Sequence, residues 1–407
     1  MKKDHPNLIV AAGTSMMLMM GVAYVWGVYV TPLISEFGWT KAQASLPFSV
    51  FLLSYTVAMI IGGRLQDIHG PRKICTIGAF LFGIGYLLSG FATSLFYLCL
   101  VYGVIGGIGT GFAYVTPMAT VVKWFPHKKG LMGGIVVFGF GAGAFVLSPL
   151  VRKIISVYSW QTSFISLGIF FIIAGLIVSQ FLVLPPEGRA ITAPGKTIRQ
   201  PLAEMTPIEA LKTPVFWMAW TAWLLALTVG LGLMGHIVSY ATEVGIDKMT
   251  AAFILSIIAI FNGAGRISIG ALSDKIGRTR ALSGACFVMA AVMAGFTVVG
   301  ESVVLLYILG GLFGLCFGTW MILYPLITSE LFGTKHLGVN YGLLFSSYGI
   351  GGFAGPLLYG KVYDTTGSYG TMFSIAAVMC AVAGFLALGI KIAARKYKTS
   401  AANAIRY

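Results

Sequence analysis

Within the apolar stretches of this sequence, three side chains could do polar chemistry: Arg266, Asn262 and His236. Asn262 and Arg266 are spaced i,i+4 and share one helix face, and Gly263 and Gly265 between them open the backbone to close approach. A guanidinium is planar, permanently charged and suited to paired hydrogen bonds with a carboxylate. None of the twelve acidic side chains falls near the middle of an apolar stretch. An anionic ligand is therefore the natural counterion for Arg266, and one arginine suggests one carboxylate. The plain alternative is an arginine that snorkels, since Asp274 follows eight residues later, about 12 Å along a helix. Three roles fit His236: a hydrogen bond to a ligand, carriage of a proton, or a place in an aqueous vestibule. Tyr24 and Tyr114 could line a cavity, although taken singly either is more often an interface or packing residue.

The elements that hold these residues follow from composition. The chain has 407 residues, 57% of them hydrophobic and only 10% charged, where soluble domains carry about 25% charge. A mean hydropathy of +0.89 requires lipid around the chain, and it excludes disorder, a coiled coil and a secreted disulfide scaffold. Apolar runs occur at 8–30, 42–64, 74–92, 96–121, 131–151, 160–184, 214–238, 250–272, 281–299, 303–328, 338–360 and 370–392. Each is about the 20 residues that cross a bilayer as a helix. The expected fold is all-α, with twelve transmembrane helices in two six-helix bundles. Residues 1–184 and 213–407 make the bundles, and the Pro- and charge-rich stretch 185–212 links them. The first run is too long for a signal-peptide core and continues into further spans. Cys75, Cys99, Cys286, Cys316 and Cys380 all fall inside the runs without metal-ligand spacing, so they read as packing residues. No metal and no cofactor is expected.

Charge placement sets the expected orientation. With twelve spans, 21 of the 27 basic residues share one side with both termini, five lie on the other, and Arg266 alone is unassigned. Basic loops face the cytoplasm, which puts the termini and the linker there, in a cell inner or plasma membrane. The net charge of +15 is thereby a topology signal spread over many loops. No basic cluster interleaves with aromatics as single-stranded nucleic-acid binding needs, and no nucleic-acid partner is expected.

The two halves repeat. Gly63-Arg-Leu-Gln-Asp67-Ile-His-Gly70-Pro-Arg72-Lys73 recurs as Gly270-Ala-Leu-Ser-Asp274-Lys-Ile-Gly277-Arg278-Thr-Arg280. Asp67 and Asp274 are 207 residues apart, Pro117 and Pro325 208, and Pro149 and Pro356 207. Two parallel six-helix halves are the architecture of one class of transporters. Mechanically, the glycines allow a tight turn and close helix contact. The Asp can lie near the start of another helix, where a carboxylate is favoured, and the flanking basic residues can form ion pairs that break as the halves rock. Gly63, Asp67, Gly70, Arg72, Asp274, Gly277 and Arg278 are the expected switch residues.

This doubled loop resembles the cytoplasmic signature of the major facilitator superfamily over the whole chain, apart from Pro71 where many members have a basic residue. Tyr24-Val-Trp-Gly-Val-Tyr-Val-Thr-Pro32, Trp124-Phe-Pro-His-Lys-Lys-Gly130, Asn262-Gly-Ala-Gly-Arg266 and Asn340-Tyr-Gly342 look like the monocarboxylate porter and oxalate/formate antiporter group. The likeness is to a bacterial counterpart of the mammalian monocarboxylate transporters, and it implies L-lactate or pyruvate as substrate and Arg266 as the carboxylate ligand. It also nominates Phe140, Phe317, Met321 and Phe345 as an apolar cage, each of which fits lipid-facing or core packing as well. Oxalate antiporters are similar but place a second cation, a Lys, where this chain has Tyr348, which favours a monoanion. The mammalian transporters resemble it but carry Asp one turn before the Arg and a Lys in span one. Here Asn262 stands at the first position and the Lys is absent, so proton coupling is implied by kinship alone, with His236 the titratable candidate.

The expected function is secondary transport of a small monocarboxylate with a proton, by rocker-switch alternating access around a central cavity between the halves. The functional unit is expected to be a monomer in a lipid bilayer. An oxalate/formate-type or other organic-anion exchanger is the alternative. A membrane sensor lacks an accompanying soluble domain, and an enzyme lacks a nucleophile–base pair, metal cluster or carboxylate dyad at membrane depth.

Overall fold

A computed structural model describes residues 6–186 and 203–404. Among them are twelve long helices and no strand. In chain order these are α1 (Pro6–Phe37), α2 (Lys41–His69), α3 (Pro71–Ser89), α4 (Leu95–Trp124), α5 (Lys129–Val157) and α6 (Trp160–Ser179). The second set is α7 (Pro214–Glu243), α8 (Lys248–Ile276), α9 (Arg278–Phe296), α10 (Val303–Leu331), α11 (Leu337–Thr366) and α12 (Tyr369–Ala404). Eleven of these are long and apolar enough to cross a membrane. α11 has the length, at 30 residues, but is diluted by Gly, Ser, Asn and Tyr. In hydrocarbon the backbone must satisfy its own hydrogen bonds, and an unbroken helix does so. Large apolar side chains on the outer surfaces, such as Phe96, Leu53 and Phe353, are the face such a protein turns to lipid.

Helix starts are written locally. Thr40 and Gln43 form a capping box at the head of α2, and Thr213 caps α7 just before Pro214. Asp247 caps α8 by accepting from the backbone N–H groups of Met249 and Thr250 at 3.0 and 3.1 Å. Hydrogen bonds from the Thr250 side chain and from these N–H groups hold the exposed Asp247 carboxyl below its usual range. Two helices are irregular where the sequence gives no warning. α1 tightens to a 3-10 turn over Gly21–Val25, and α4 opens to a π-helix over Cys99–Gly106. Such interruptions often accompany functional sites. The five cysteines are free thiols within the helices.

The residues group into two compact units: Met1–Arg199 with Thr334–Leu343, and Gln200–Gly333 with Leu344–Tyr407. In the first unit α2 packs on α4, and α3 on both α4 and α6; in the second α8 packs on α10, and α9 on both α10 and α12. The same pairings recur six helices later, so the sequence repeat is also a packing repeat. Most of the expected 185–212 linker lies outside the described residues. Its described end is held in the second unit, where the Met205 N–H donates to the Phe332 carbonyl at 3.0 Å and a short helix, Pro207–Leu211, follows.

Candidate functional site

In the second unit, α8 carries Asn262 and Arg266 one turn apart, and both are buried; Arg266 is only 2% exposed. An ionised side chain inside a spanning helix is costly to bury. Glycines seat this face of α8 directly on α10. A Cβ at Gly314 would lie 2.4 Å from the Ile258 carbonyl oxygen, and one at Gly318 only 2.0 Å from that of Asn262. From the α8 side, a Cβ at Gly265 would lie 2.2 Å from the Leu315 carbonyl oxygen. The two backbones touch along a seam of about two turns, which sets where Asn262 and Arg266 stand.

An aromatic wall stands in the same unit. Phe345 and Tyr348 on α11 stack at 4.8 Å, and Phe345 meets the edge of Trp223 on α7 at 5.6 Å. Trp223 in turn stacks nearly parallel on Tyr324 of α10 at 4.1 Å. The Phe317 ring packs against Gly230 of α7, where a Cβ would lie 2.6 Å from its Cδ2. Met321, one turn on, is buried as well. Trp223 was not singled out from the sequence. Its signal was there: a tryptophan ten residues into a span, away from the interfacial belt where Trp usually anchors, with Ala219, Ala222 and Ala226 around it.

In the first unit Phe140 of α5 joins two of the nominated tyrosines. Tyr24 and Tyr114 each meet it edge to face, at 5.1 and 5.2 Å. Tyr55 of α2, also missed in the sequence, extends the group through Tyr114 at 5.6 Å. Tyr24 is 41% exposed and sits on the 3-10 turn of α1. Gly21 and Gly143 let α1 and α5 cross at backbone contact there, a Cβ at Gly143 falling 2.0 Å from the Leu18 carbonyl oxygen. The four nominated cage residues thus divide, Phe140 in the first unit and Phe317, Met321 and Phe345 in the second.

His236 has protein partners on both ring nitrogens, the Tyr369 hydroxyl at 3.0 Å from Nδ1 and the Pro356 carbonyl at 3.1 Å from Nε2. A role as a substrate ligand would require one of these bonds to be given up.

The two loop copies are built alike but charged differently. Gly70 and Gly277 both adopt left-handed φ, +85° and +95°, which favours glycine at each turn. Asp67 accepts from the N–H groups of Gly338 and Val339 at 3.3 and 3.1 Å, at the start of α11 and within the first unit. Its cationic neighbour is Lys123 of α4 at 4.0 Å, not the flanking Arg72, which is exposed and donates to Gln180, just past the end of α6, at 2.6 Å. In the second copy the flanking Arg278 pairs with Asp274, donates to Ser273, and lies 3.5 Å from Glu330 at the end of α10. Pro71 occupies the place of Arg278 and supplies no charge. The end of α4 contributes a base where the end of α10 contributes an acid, so the compensation has changed sign between the halves. A Cβ at Gly63 would lie 2.2 Å from the Gly338 carbonyl oxygen, so α2 and the start of α11 also meet at backbone distance.

The family model for the Major Facilitator Superfamily matches residues 11–356. The chain belongs to this superfamily. It is similar to the oxalate:formate antiporter of Oxalobacter formigenes, with 28% identity across 93% of this chain and 90% of that protein. It is also similar to monocarboxylate transporter 13 of Rattus norvegicus, with 26% identity across 91% and 85%. Among solved structures, the superfamily transporter FucP, in the outward conformation, shares the fold at a TM-score of 0.73 and 17% identity, covering 94% of this chain and 98% of that one. The protein is a superfamily transporter related to monocarboxylate and oxalate:formate carriers.

Proposed function

We propose that this transporter carries small monocarboxylates, L-lactate and pyruvate, together with a proton, by alternating access. The reading rests on Arg266. One guanidinium, almost wholly removed from solvent on a helix face shared with Asn262, matches one carboxylate, and Arg offers the paired donors that a carboxylate accepts. The aromatic wall of Trp223, Phe345 and Tyr348 suits the short apolar end of such an acid. Tyr348 is neutral, which favours a monoanion over a dianion. A monoanion moving alone would work against a negative-inside potential, at about 2.3 kcal/mol per charge per 100 mV, and a co-transported proton removes that cost. The termini and the linker are assigned to the cytoplasmic side of a cell membrane by the basic loops, with the monomer as the working unit and transport rather than catalysis as the activity.

A thermal-shift panel of L-lactate, pyruvate, oxalate and formate on the purified protein tests the substrate class. A ligand at 100 times its Kd stabilises the folded state by about 2.7 kcal/mol. Lactate or pyruvate is expected to raise Tm the most. A larger shift with oxalate would move the assignment to an exchanger.

The switch residues are testable separately. Asp67→Asn removes the negative charge from the start of α11, where such an interaction contributes about 0.5–2 kcal/mol. Initial uptake is expected to fall several-fold while the ligand-induced Tm shift is retained. Unchanged uptake would remove Asp67 from the transport cycle.

A further inference from the structure

The Pro356 carbonyl oxygen can only accept a hydrogen bond, so Nε2 of His236 carries a hydrogen in every protonation state consistent with that 3.1 Å contact. In the neutral ring the lone pair is therefore on Nδ1, facing the Tyr369 hydroxyl at 3.0 Å. Protonation can occur at one atom only, and that atom sees one hydroxyl.

The surroundings of this pair are specific. The His236 ring lies 5.8 Å from Tyr359 of α11 and 5.6 Å from Tyr369 of α12. Electrostatic neighbours of Tyr369 are Ser239 and Glu243 on α7 and Tyr363 and Asp364 on α11. Tyr240 of α7 meets its ring edge-on at 6.1 Å. Tyr363 packs against Tyr369 with tilted rings at 4.5 Å and has Glu243 and Asp364 as its own neighbours. Glu243 ends α7 and Asp364 lies in the last turn of α11. Both are at the end of the second unit opposite the Asp274 turn. A partly buried imidazole is thus bonded to one tyrosine hydroxyl that has an acidic cluster among its electrostatic neighbours at one end of the bundle.

We propose that Nδ1 of His236 is the binding site of the co-transported proton, loaded through Tyr369 from the Glu243–Asp364 end, and that His236 does not ligate the transported acid. The inference rests on the proton-coupled reading above. In the loading step the Tyr369 hydroxyl proton passes to Nδ1 as Oη takes one from a hydronium ion at the acidic cluster. Tyrosine is neutral before and after, the hydronium becomes water, and the imidazole gains one proton and one positive charge. In the charged state Nδ1–H donates to Tyr369 Oη, whose own O–H turns toward Ser239 and Glu243. Loading therefore reverses one hydrogen bond while the bond to Pro356 persists, and a single ring reports its charge to α7, α11 and α12 together.

The test uses the full chain in proteoliposomes with L-lactate as the probe, comparing accumulation driven by a pH gradient with lactate–lactate exchange. His236→Gln keeps an N–H donor near Pro356 and removes the titrating atom. The ratio of driven accumulation to exchange is expected to fall at least tenfold. Tyr369→Phe keeps the imidazole and removes the hydroxyl that accepts from its charged form. A charged N–H donor makes the stronger bond, so the pH profile of driven uptake is expected to move to lower pH. A structural role for His236 would depress both transport modes together and leave the ratio alone, which overturns the proposal. Should His236→Gln fail to fold, an unmoved pH profile in Tyr369→Phe overturns it. If the wild-type protein accumulates lactate under a pH gradient and His236→Gln does too, only this proton site falls. If the wild type does not, the symport reading falls and takes this inference with it.

Discussion

Arg266→Ala is expected to reduce L-lactate uptake by about 30-fold or more, and Arg266→Lys to reduce it nearly as far. Truncating one member of a buried, hydrogen-bonded charge pair costs about 2–5 kcal/mol. Every 1.4 kcal/mol is tenfold in affinity, so even the lower half of that range removes transport at ordinary substrate concentrations. Lysine preserves the charge but not the planar fork, and its compact ammonium cannot reproduce two parallel hydrogen bonds from one position. Both proteins should still fold, because removing a guanidinium that is 2% exposed relieves a desolvation cost as well as removing contacts. Two measurements check this: initial uptake in proteoliposomes, and Tm with and without lactate. Near-normal uptake in both variants would end the assignment of Arg266 as the carboxylate ligand. Loss of uptake with the lactate-induced Tm shift intact would move Arg266 from substrate binding to the conformational cycle.

The second large effect concerns the seam between α8 and α10. Gly318→Val places a branched side chain where a Cβ alone would lie 2.0 Å from the Asn262 carbonyl oxygen and 2.8 Å from its carbon. These are backbone atoms, so no rotamer change relieves the clash and the helices must separate. Overpacking a well-packed interior typically costs about 1–3 kcal/mol and sometimes more. Gly318→Val belongs at or above the upper end, and Gly318→Ala within the range. Separation also shifts Asn262 and, one turn on, Arg266, so lactate affinity should fall along with Tm. Gly284 provides the control. A Cβ there meets nothing within 4 Å and the position is interior to α9, so Gly284→Ala should be neutral or stabilise by up to about 1 kcal/mol through helix propensity. Equal Tm values for Gly318→Val and the wild type would mean the seam is not tight.

Some of this was readable along the chain. The run at 42–64 became a helix over Lys41–His69, and that at 338–360 became Leu337–Thr366. The observed helices extend past the apolar runs because apolarity tracks the hydrocarbon thickness while the backbone stays helical beyond it. The 3-10 turn of α1 left no mark in the apolar pattern, which is insensitive to a local change of winding. Cavity-lining candidates were harder. In an apolar helix every face can be hydrophobic, so Phe317 and Phe345 could not be told from lipid-facing residues by sequence, and Trp223 and Tyr55 went unnoticed.

By itself the sequence determined the succession of long apolar helices, the 207-residue repeat, the basic asymmetry and the anomaly of Arg266. Each depends on composition within a window of about 20 residues, or on comparing one window with another. Tertiary structure alone decided the partners. Lys123 rather than Arg72 stands beside Asp67, Glu330 joins Arg278, and His236 spends both nitrogens on α11 and α12. Those partners lie about 50 to 130 residues away along the chain, brought within reach by glycine faces whose matching depends on how helices are rotated about their axes. Rotation and depth are set by packing between helices, and no window of one helix contains them.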